Sequence, residues 1–145
     1  MTPSEARLHE SAAELRVLVA KLRRRLADQA SPGDFSPSQT AVLTRLLQDG
    51  PATLTTLANA EGMRPQSMSA IIAALEAVGA VERHPDPNDG RATILALTES
   101  VRDRVEQARL IKTDWLFAQF RSKYNAAEQA QLVESIRLLQ RIIEN

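Results

Sequence analysis

The sequence contains no cysteine in 145 residues, which excludes disulfides, thiol catalysis, thiolate metal sites and cysteine-based redox sensing. Aromatic residues make up only 3% of the chain, so stacking platforms for single-stranded nucleic acid are not expected. No apolar run reaches the roughly 20 residues that a membrane-spanning helix needs. The first seven residues are polar and lack the apolar segment of a signal peptide. We therefore expect a soluble cytoplasmic protein without a membrane partner.

An excess of positive charge is also absent, because 18 lysines and arginines balance 18 aspartates and glutamates. The broad basic field that many nucleic-acid-binding proteins carry is thus missing. The charged residues between positions 53 and 98 are Arg64, Arg83 and Arg91 against Glu61, Glu76, Glu82, Asp86 and Asp89. Binding of duplex DNA by this segment would have to depend on a few placed arginines, helix N-terminal amides and symmetry.

The motifs of catalysis are missing as well. The sequence has no glycine-rich dinucleotide fingerprint, no phosphate-binding P-loop and no nucleophile elbow. Its two histidines, His9 and His84, are far apart, and no carboxylates surround them at metal-ligand spacing. We expect each histidine to be solvated or locally hydrogen-bonded, and we predict neither an enzyme nor a metal or cofactor site.

Apolar residues at steps of three and four predict a long first helix over residues 4–30, for which Ser4 is the candidate cap. A second helix is predicted over residues 36–48, because an apolar face follows Ser36-Pro37-Ser38. The turn residues Asp49-Gly50-Pro51 end it.

The centre of the chain predicts a pair of short helices. The third helix is capped by Thr53 and ends near Ala60, before a turn around Gly62. The fourth helix has Pro65 at its first position, where a missing N–H is harmless, and Gly79 ends it. Its predicted buried stripe consists of Met68, Ile71, Ile72, Leu75 and Val78.

A β-hairpin follows the helix pair. Residues 80–84 and 92–97 predict two paired strands, and residues 85–91 form a long polar connection between them. A helix pair followed by a hairpin makes a winged helix, which commonly presents one helix to a DNA groove.

Two further helices complete the chain. Thr98 is expected to cap a fifth helix reaching about Lys123, and Asn125 with Glu128 opens a sixth in the manner of a capping box. The apolar stripes of the first, fifth and sixth helices need a partner, and an intertwined two-fold homodimer would bury them.

The predicted fold class is therefore mainly α with a small β-hairpin wing. The winged helix-turn-helix occupies residues 35–98, and it is flanked by N- and C-terminal dimerisation helices in residues 1–34 and 99–145. The late aromatic residues Trp115, Phe117, Phe120 and Tyr124 are interpreted either as dimer core or as part of a small-molecule pocket.

Four segments resemble the MarR (multiple antibiotic resistance regulator) family of bacterial winged-helix transcription factors. They are Pro65-Gln66-Ser67-Met68-Ser69, Leu75 to Arg83, the wing sequence Asp86-Pro87-Asn88-Asp89-Gly90-Arg91, and Leu97-Thr98. The resemblance implies a homodimer whose fourth helices enter successive major grooves of a pseudopalindromic operator. It also implies that Arg91 reaches a minor groove, where the negative potential of a narrow groove favours arginine.

The resemblance extends to neighbouring wing residues. Asp89 matches an aspartate expected to hold the Arg91 side chain, and Asp86 is expected to shape the wing with it. Arg83 is expected to pair with Asp89 or to contact phosphate. Gly90 departs from the family, whose wings often carry a second basic residue at this position.

The remaining candidate DNA-binding residues lie at helix starts. They are Arg64, Pro65, Gln66, Ser67 and Ser69 on the fourth helix, and Thr53 and Thr55 on the third. Gln66 could bond adenine bidentately, and the third helix would direct backbone amides and hydroxyls at phosphate. For Ser67 and Ser69, ordinary helix-start polarity is the alternative interpretation.

The expected function is a regulator of transcription, most simply a repressor, that a small phenolic or aromatic ligand releases from double-stranded DNA. The alternative is a winged helix that serves as a protein-interaction module without binding DNA. The near-neutral charge of the central segment favours that alternative.

Overall fold

The structure, a computed structural model, describes residues 1–144. The described helices and strands, in chain order, are α1 (Pro3–Gln29), α2 (Pro37–Asp49), α3 (Leu54–Ala60), α4 (Pro65–Ala77), β1 (Val81–Pro85), β2 (Thr93–Leu97), α5 (Glu99–Lys123) and α6 (Ala126–Gln140). This architecture confirms the predicted fold class, a mainly helical chain with a small hairpin. The chain forms two compact units, one of residues 30–110 and one of residues 1–29 with the residues from 111 onward.

The central unit has one hydrophobic core, to which α2, α3, α4, both strands and the start of α5 contribute. Its largest fully buried side chains are Val42, Leu43, Leu46, Leu57, Met68, Ile72, Leu75, Leu95 and Val101. Three of them, Met68, Ile72 and Leu75, recur along α4 and fix that helix to the core on one side. The opposite side of α4 is left for another surface.

Helix starts follow the capping chemistry of the sequence. At α2, Ser36 accepts a hydrogen bond from the Gln39 backbone N–H, and the Gln39 side chain accepts one from Ser36, which completes a capping box. At α1 the structure corrects the predicted cap, because Thr2 and Glu5 exchange these two bonds and Ser4 lies inside the helix. With Thr2 as the capping residue, Glu5 is at the third helical position, where a capping box requires a glutamate or glutamine. Ser4 has no such residue three positions ahead, because Arg7 lies there.

Glycine turns lie on both sides of α4. Gly62 and Gly79 have φ values of 64° and 72°, in the left-handed region that glycine adopts without steric cost. After α4, Gly79 and Ala80 donate backbone hydrogen bonds to Glu76 and Leu75, the pattern of a Schellman motif. The helix therefore starts and stops at fixed points.

Val78 departs from the predicted buried stripe of α4, because it is 66% exposed. The helix ends at Ala77, and Val78 is the capping residue with φ −97° and ψ 7°. The helical phase that would have directed its side chain to the core has ended there.

We expect Gly79→Ala to destabilise the fold by about 1 kcal/mol, because an L-residue is strained in the left-handed conformation. No atom lies within 4 Å of the position where a Cβ would be, so the cost comes from the backbone and not from a clash. Urea unfolding measures the loss. Gly90→Ala is the matched control, since Gly90 has equal space and no positive φ; equal midpoints for the two variants would contradict the expectation.

The hairpin pairs β1 with β2 in antiparallel register, with Arg83 opposite Leu95. The middle of β2 is held by the segment that follows α2, since Ala52 and Leu95 exchange two backbone hydrogen bonds of 3.1 and 2.7 Å. Thr98 anchors the open end of the hairpin, beside the Val81–Leu97 pair. Its hydroxyl donates to the Gly79 carbonyl at 2.7 Å. Its carbonyl accepts from the Arg102 N–H, so Thr98 also occupies the predicted cap position before α5.

The terminal unit has little core within one chain. Neither α1 nor α6 contains a buried residue. The exposed large apolar residues of this unit are Met1, Leu8, Val17, Leu18, Val19, Leu22, Ile111, Phe117, Tyr124, Val133, Ile136, Leu138, Leu139, Ile142 and Ile143. The predicted start of α6 is confirmed, because Asn125 and Glu128 form a complete capping box.

Within residues 1–144, none of the helices combines the length and the apolar character needed to cross a membrane. The same residues contain no group of three or more side chains that could hold a metal ion.

Candidate nucleic-acid interface

The outer face of α4 is lined by small and polar side chains. Its exposed residues are Gln66, Ser67, Ser69, Ala70, Ala73, Ala74 and Ala77. No long side chain besides Gln66 stands on this face, so the helix backbone can lie close to a partner surface. A DNA major groove admits an α-helix in this way.

The first turn of α4 keeps its backbone amides available. Arg64 is the capping residue, but its side chain makes no capping hydrogen bond, and Pro65 fills the first helical position. The amide groups of a first helical turn have no partner inside the helix and favour an anion such as phosphate. Arg64 and Gln66 are exposed beside them.

The start of α3 is organised by Thr53, which caps the helix as predicted. Its hydroxyl accepts a hydrogen bond from the Thr56 backbone N–H at 3.2 Å and lies 2.9 Å from the Thr56 hydroxyl. Thr53 is half-buried, whereas Thr55 is exposed. Thr55 therefore has the more accessible hydroxyl of the two candidate phosphate ligands.

The wing is shaped by two aspartates that bond to backbone. Asp86 accepts from the Asn88 N–H at 2.9 Å, and Asp89 accepts from the Arg91 N–H at 3.1 Å. The Asp89 carboxylate thus holds the Arg91 backbone and does not hold the Arg91 side chain as expected. An aspartate side chain readily bonds the amide two residues ahead, because the ring it closes is small. Throughout residues 1–144, the Arg91 guanidinium has no hydrogen bond or ion pair, so it is free for another molecule.

Arg83 has a different partner from the predicted Asp89. Its Nε donates to Glu76 Oε1 at 2.9 Å, and its Nη2 lies 2.7 Å from the same oxygen in an ion pair. Glu76 belongs to the last turn of α4. This hydrogen bond raises the pKa of Arg83 above its ordinary value. Asp89 is engaged with the wing backbone, which leaves Glu76 as the carboxylate that Arg83 meets.

An ion pair that the sequence analysis missed braces the turn between α3 and α4. Arg45 on α2 donates from Nε to Glu61 at 2.7 Å and from Nη1 to Asp49 at 3.2 Å. Glu61 is only 18% exposed in its side chain and caps the end of α3. The bond to Glu61 raises the pKa of Arg45. Of these two contacts, only Arg45–Asp49 could have been predicted from the sequence, because residues four apart are neighbours on one helix face.

These features define a class of protein. Two helices joined by a tight turn, a hairpin beside the second helix and an uncommitted arginine on the hairpin loop form a winged helix equipped to meet duplex DNA.

Comparison with known proteins identifies the family. The model of the MarR family matches residues 35–93. An uncharacterised HTH-type transcriptional regulator of Mycobacterium bovis is 38% identical over 116 residues, covering 80% of this chain and 79% of that protein. A regulator of Mycobacterium leprae described in the same terms is 37% identical with the same coverage. The structure of a MarR family protein from Bacillus stearothermophilus shares the fold at a TM-score of 0.85 and 21% identity, covering 100% of this chain and 99% of that chain.

The chain belongs to the MarR family. It is a DNA-binding transcriptional regulator and not an enzyme, as the family and its relatives indicate.

Proposed function

We propose that the protein is a homodimeric repressor that acts in the cytoplasm and binds a pseudopalindromic operator. The observation that carries this proposal is the pairing of an exposed, small-residue face on α4 with a free guanidinium on the wing, at Arg91. One element suits a major groove and the other suits a minor groove.

The proposed contacts divide by role. Gln66 reads a base edge, because its amide can bond adenine bidentately, and Ser67 and Ser69 reach bases or phosphates. Arg64 and the amides around Pro65 contact phosphate, because they lie at the uncapped start of α4. The contacts proposed at the start of α3 come from Thr53 and Thr55, chiefly from the exposed Thr55.

The homodimer is supported by the terminal unit. Helices α1 and α6 bury no residue within one chain, although both carry long apolar stripes. A second copy would cover these stripes and would place two α4 helices on one duplex, with half-sites roughly 34–36 Å apart.

Selection of bound duplexes from a random pool, followed by a salt titration, tests the proposal. We expect an enriched pseudopalindrome and an affinity that falls steeply with salt, because arginine and amide contacts to phosphate release counterions. Failure to enrich any sequence, with no binding to duplex at low salt, would instead support the protein-interaction module. The zero net charge favours that alternative, and membership of the family counts against it.

We also propose that a small phenolic or aromatic ligand releases the operator. The terminal unit holds aromatic residues late in α5 and directly after it, where Phe120 and Tyr124 meet edge to face at 6.3 Å between ring centres. A ligand shifts a population only if it binds one arrangement of the two α4 helices better than the other. Repeating the duplex titration with candidate phenols is the test, and an unchanged affinity with every ligand would contradict release.

A further inference from the structure

Glu76 and Arg83 join α4, the helix proposed to enter the major groove, to the wing. Both guanidinium contacts, at 2.9 and 2.7 Å, go to the same carboxylate oxygen, Oε1. The two side chains keep 31% and 46% of their surface exposed, so the pair lies at the edge of the protein and not in its core. No other hydrogen bond or ion pair of the Arg83 side chain occurs among residues 1–144.

The pair spans the tight turn around Gly79. Glu76 lies in the last turn of α4, and Arg83 lies at the middle of β1. Successive strand residues point to opposite faces, so Arg83 shares its face with the buried Val81, while Glu82 points the other way. Glu82 contacts His84 at 3.0 Å on that other face. The Glu76–Arg83 contact is therefore specific to the side of the hairpin that turns toward α4.

We propose that the Glu76–Arg83 ion pair fixes the wing relative to α4, which makes Arg83 a positioning residue for DNA binding and not a phosphate contact. This inference rests on the proposed function, because it assigns a role within the same DNA-binding surface. The Glu76–Arg83 ion pair would set the distance between α4 and the wing, the two elements proposed to enter the grooves.

The Glu76–Arg83 pair is weak, but its effect on DNA binding is expected to be large because it lies at a distance from the Arg91 end of the wing. An exposed ion pair adds little to the stability of a fold. Arg83 lies opposite Leu95, and β2 continues for two residues, or about 7 Å, from Leu95 to its start at Thr93. Arg91 lies beyond Thr93, in the turn that closes the wing. A small rotation of the strands at Arg83 therefore displaces the Arg91 end of the wing by a larger distance.

The rival role of Arg83 predicts the opposite sign for one variant. If Arg83 contacted phosphate, Glu76 would compete with the DNA for it, and Glu76→Gln would strengthen binding. If the pair positions the wing, Glu76→Gln weakens binding even though it removes a negative charge next to the DNA surface. Glu82→Gln is the matched control, because it makes the same charge change on the neighbouring residue and leaves the pair intact.

The experiment measures duplex affinity and its salt dependence for the full chain and four variants. These are Glu76→Gln, Arg83→Gln, the double exchange Glu76→Arg with Arg83→Glu, and Glu82→Gln. We expect each single break of the pair to weaken binding about tenfold with an unchanged salt slope, since no phosphate contact is lost. The double exchange restores affinity to within about threefold, because it rebuilds the pair with reversed polarity. Melting temperatures should stay within about 3 °C of the wild type.

Three results would overturn the positioning role: stronger binding by Glu76→Gln than by Glu82→Gln, a salt slope lowered by about two per dimer in Arg83→Gln, or no recovery in the double exchange. Those outcomes presuppose that the wild type binds duplex. If the wild-type chain binds no duplex at all, the proposed function itself fails, and the two failures are thus distinguishable.

Discussion

Replacing Arg91 by alanine is expected to weaken operator binding roughly a hundredfold, through two lost minor-groove contacts per dimer. The effect is large because the DNA-binding segment has few cations to compensate. Of its three arginines, Arg83 is paired with Glu76, which leaves Arg64 and Arg91. Arg91 makes no ion pair within residues 1–144 that would have to be broken first.

A salt titration of the Arg91→Ala variant checks this expectation. The slope of log affinity against log salt should fall by about two per dimer, because the wing of each protomer releases about one counterion fewer. Arg91→Lys is the control that keeps the charge and loses the planar fork; it should retain the slope and recover only part of the affinity. If Arg91→Ala bound duplex as tightly as the wild type, the wing would not be part of the DNA-binding surface.

Val133, Ile136 and Leu139 form an exposed apolar stripe on α6. Placing a charge on this stripe is expected to abolish dimerisation and DNA binding together. Val133 is 72% exposed in one chain, so Val133→Glu should leave the fold of the single chain intact. In the proposed homodimer the new carboxylate would be buried without a partner, at a cost of several kcal/mol. A monomer also lacks the second DNA-binding unit, and the loss of avidity from two linked sites lowers duplex affinity by about a hundredfold or more.

Sedimentation or light scattering across a dilution series measures the oligomeric state of Val133→Glu, and circular dichroism verifies its helices. Gln131→Glu serves as the control, because it adds the same charge to an exposed position of α6 that lies off the stripe. We expect Gln131→Glu to remain dimeric at concentrations where Val133→Glu is monomeric. A dimer that persists in Val133→Glu would place the interface elsewhere.

Most of the fold could be predicted from the sequence because its signals are local. Periodic apolar residues, a proline at the first position of α4 and glycines at its two flanking turns depend on neighbours within a few residues. The two wrong predictions, for Ser4 and Val78, also have local explanations. Ser4 was a good cap by type, but Thr2 has Glu5 at the required spacing. Val78 continued the stripe in sequence after the helix itself had ended.

The site could be predicted only in part, because its contacts join residues from different elements. The wing sequence indicated Asp89 and Arg91 as partners, but sequence does not distinguish a bond to the Arg91 side chain from one to its backbone. The pairing of Glu76 with Arg83 requires knowing how the Gly79 turn folds the strand back onto α4. Arg45 and Glu61 lie sixteen residues apart and meet only through packing of α2 against the turn.

The division of α4 into a core side and an outer side separates stability from recognition. Met68, Ile72 and Leu75 hold the helix against the core, and two glycine turns flank it, while the residues of the outer side are exposed and outside the core. We therefore expect substitutions at exposed positions such as Ser69 and Ala73 to preserve the fold. In the proposed arrangement, a few substitutions on the outer side of α4 would change the preferred duplex sequence, in evolution or by design, and would leave the proposed dimer and the wing unaltered.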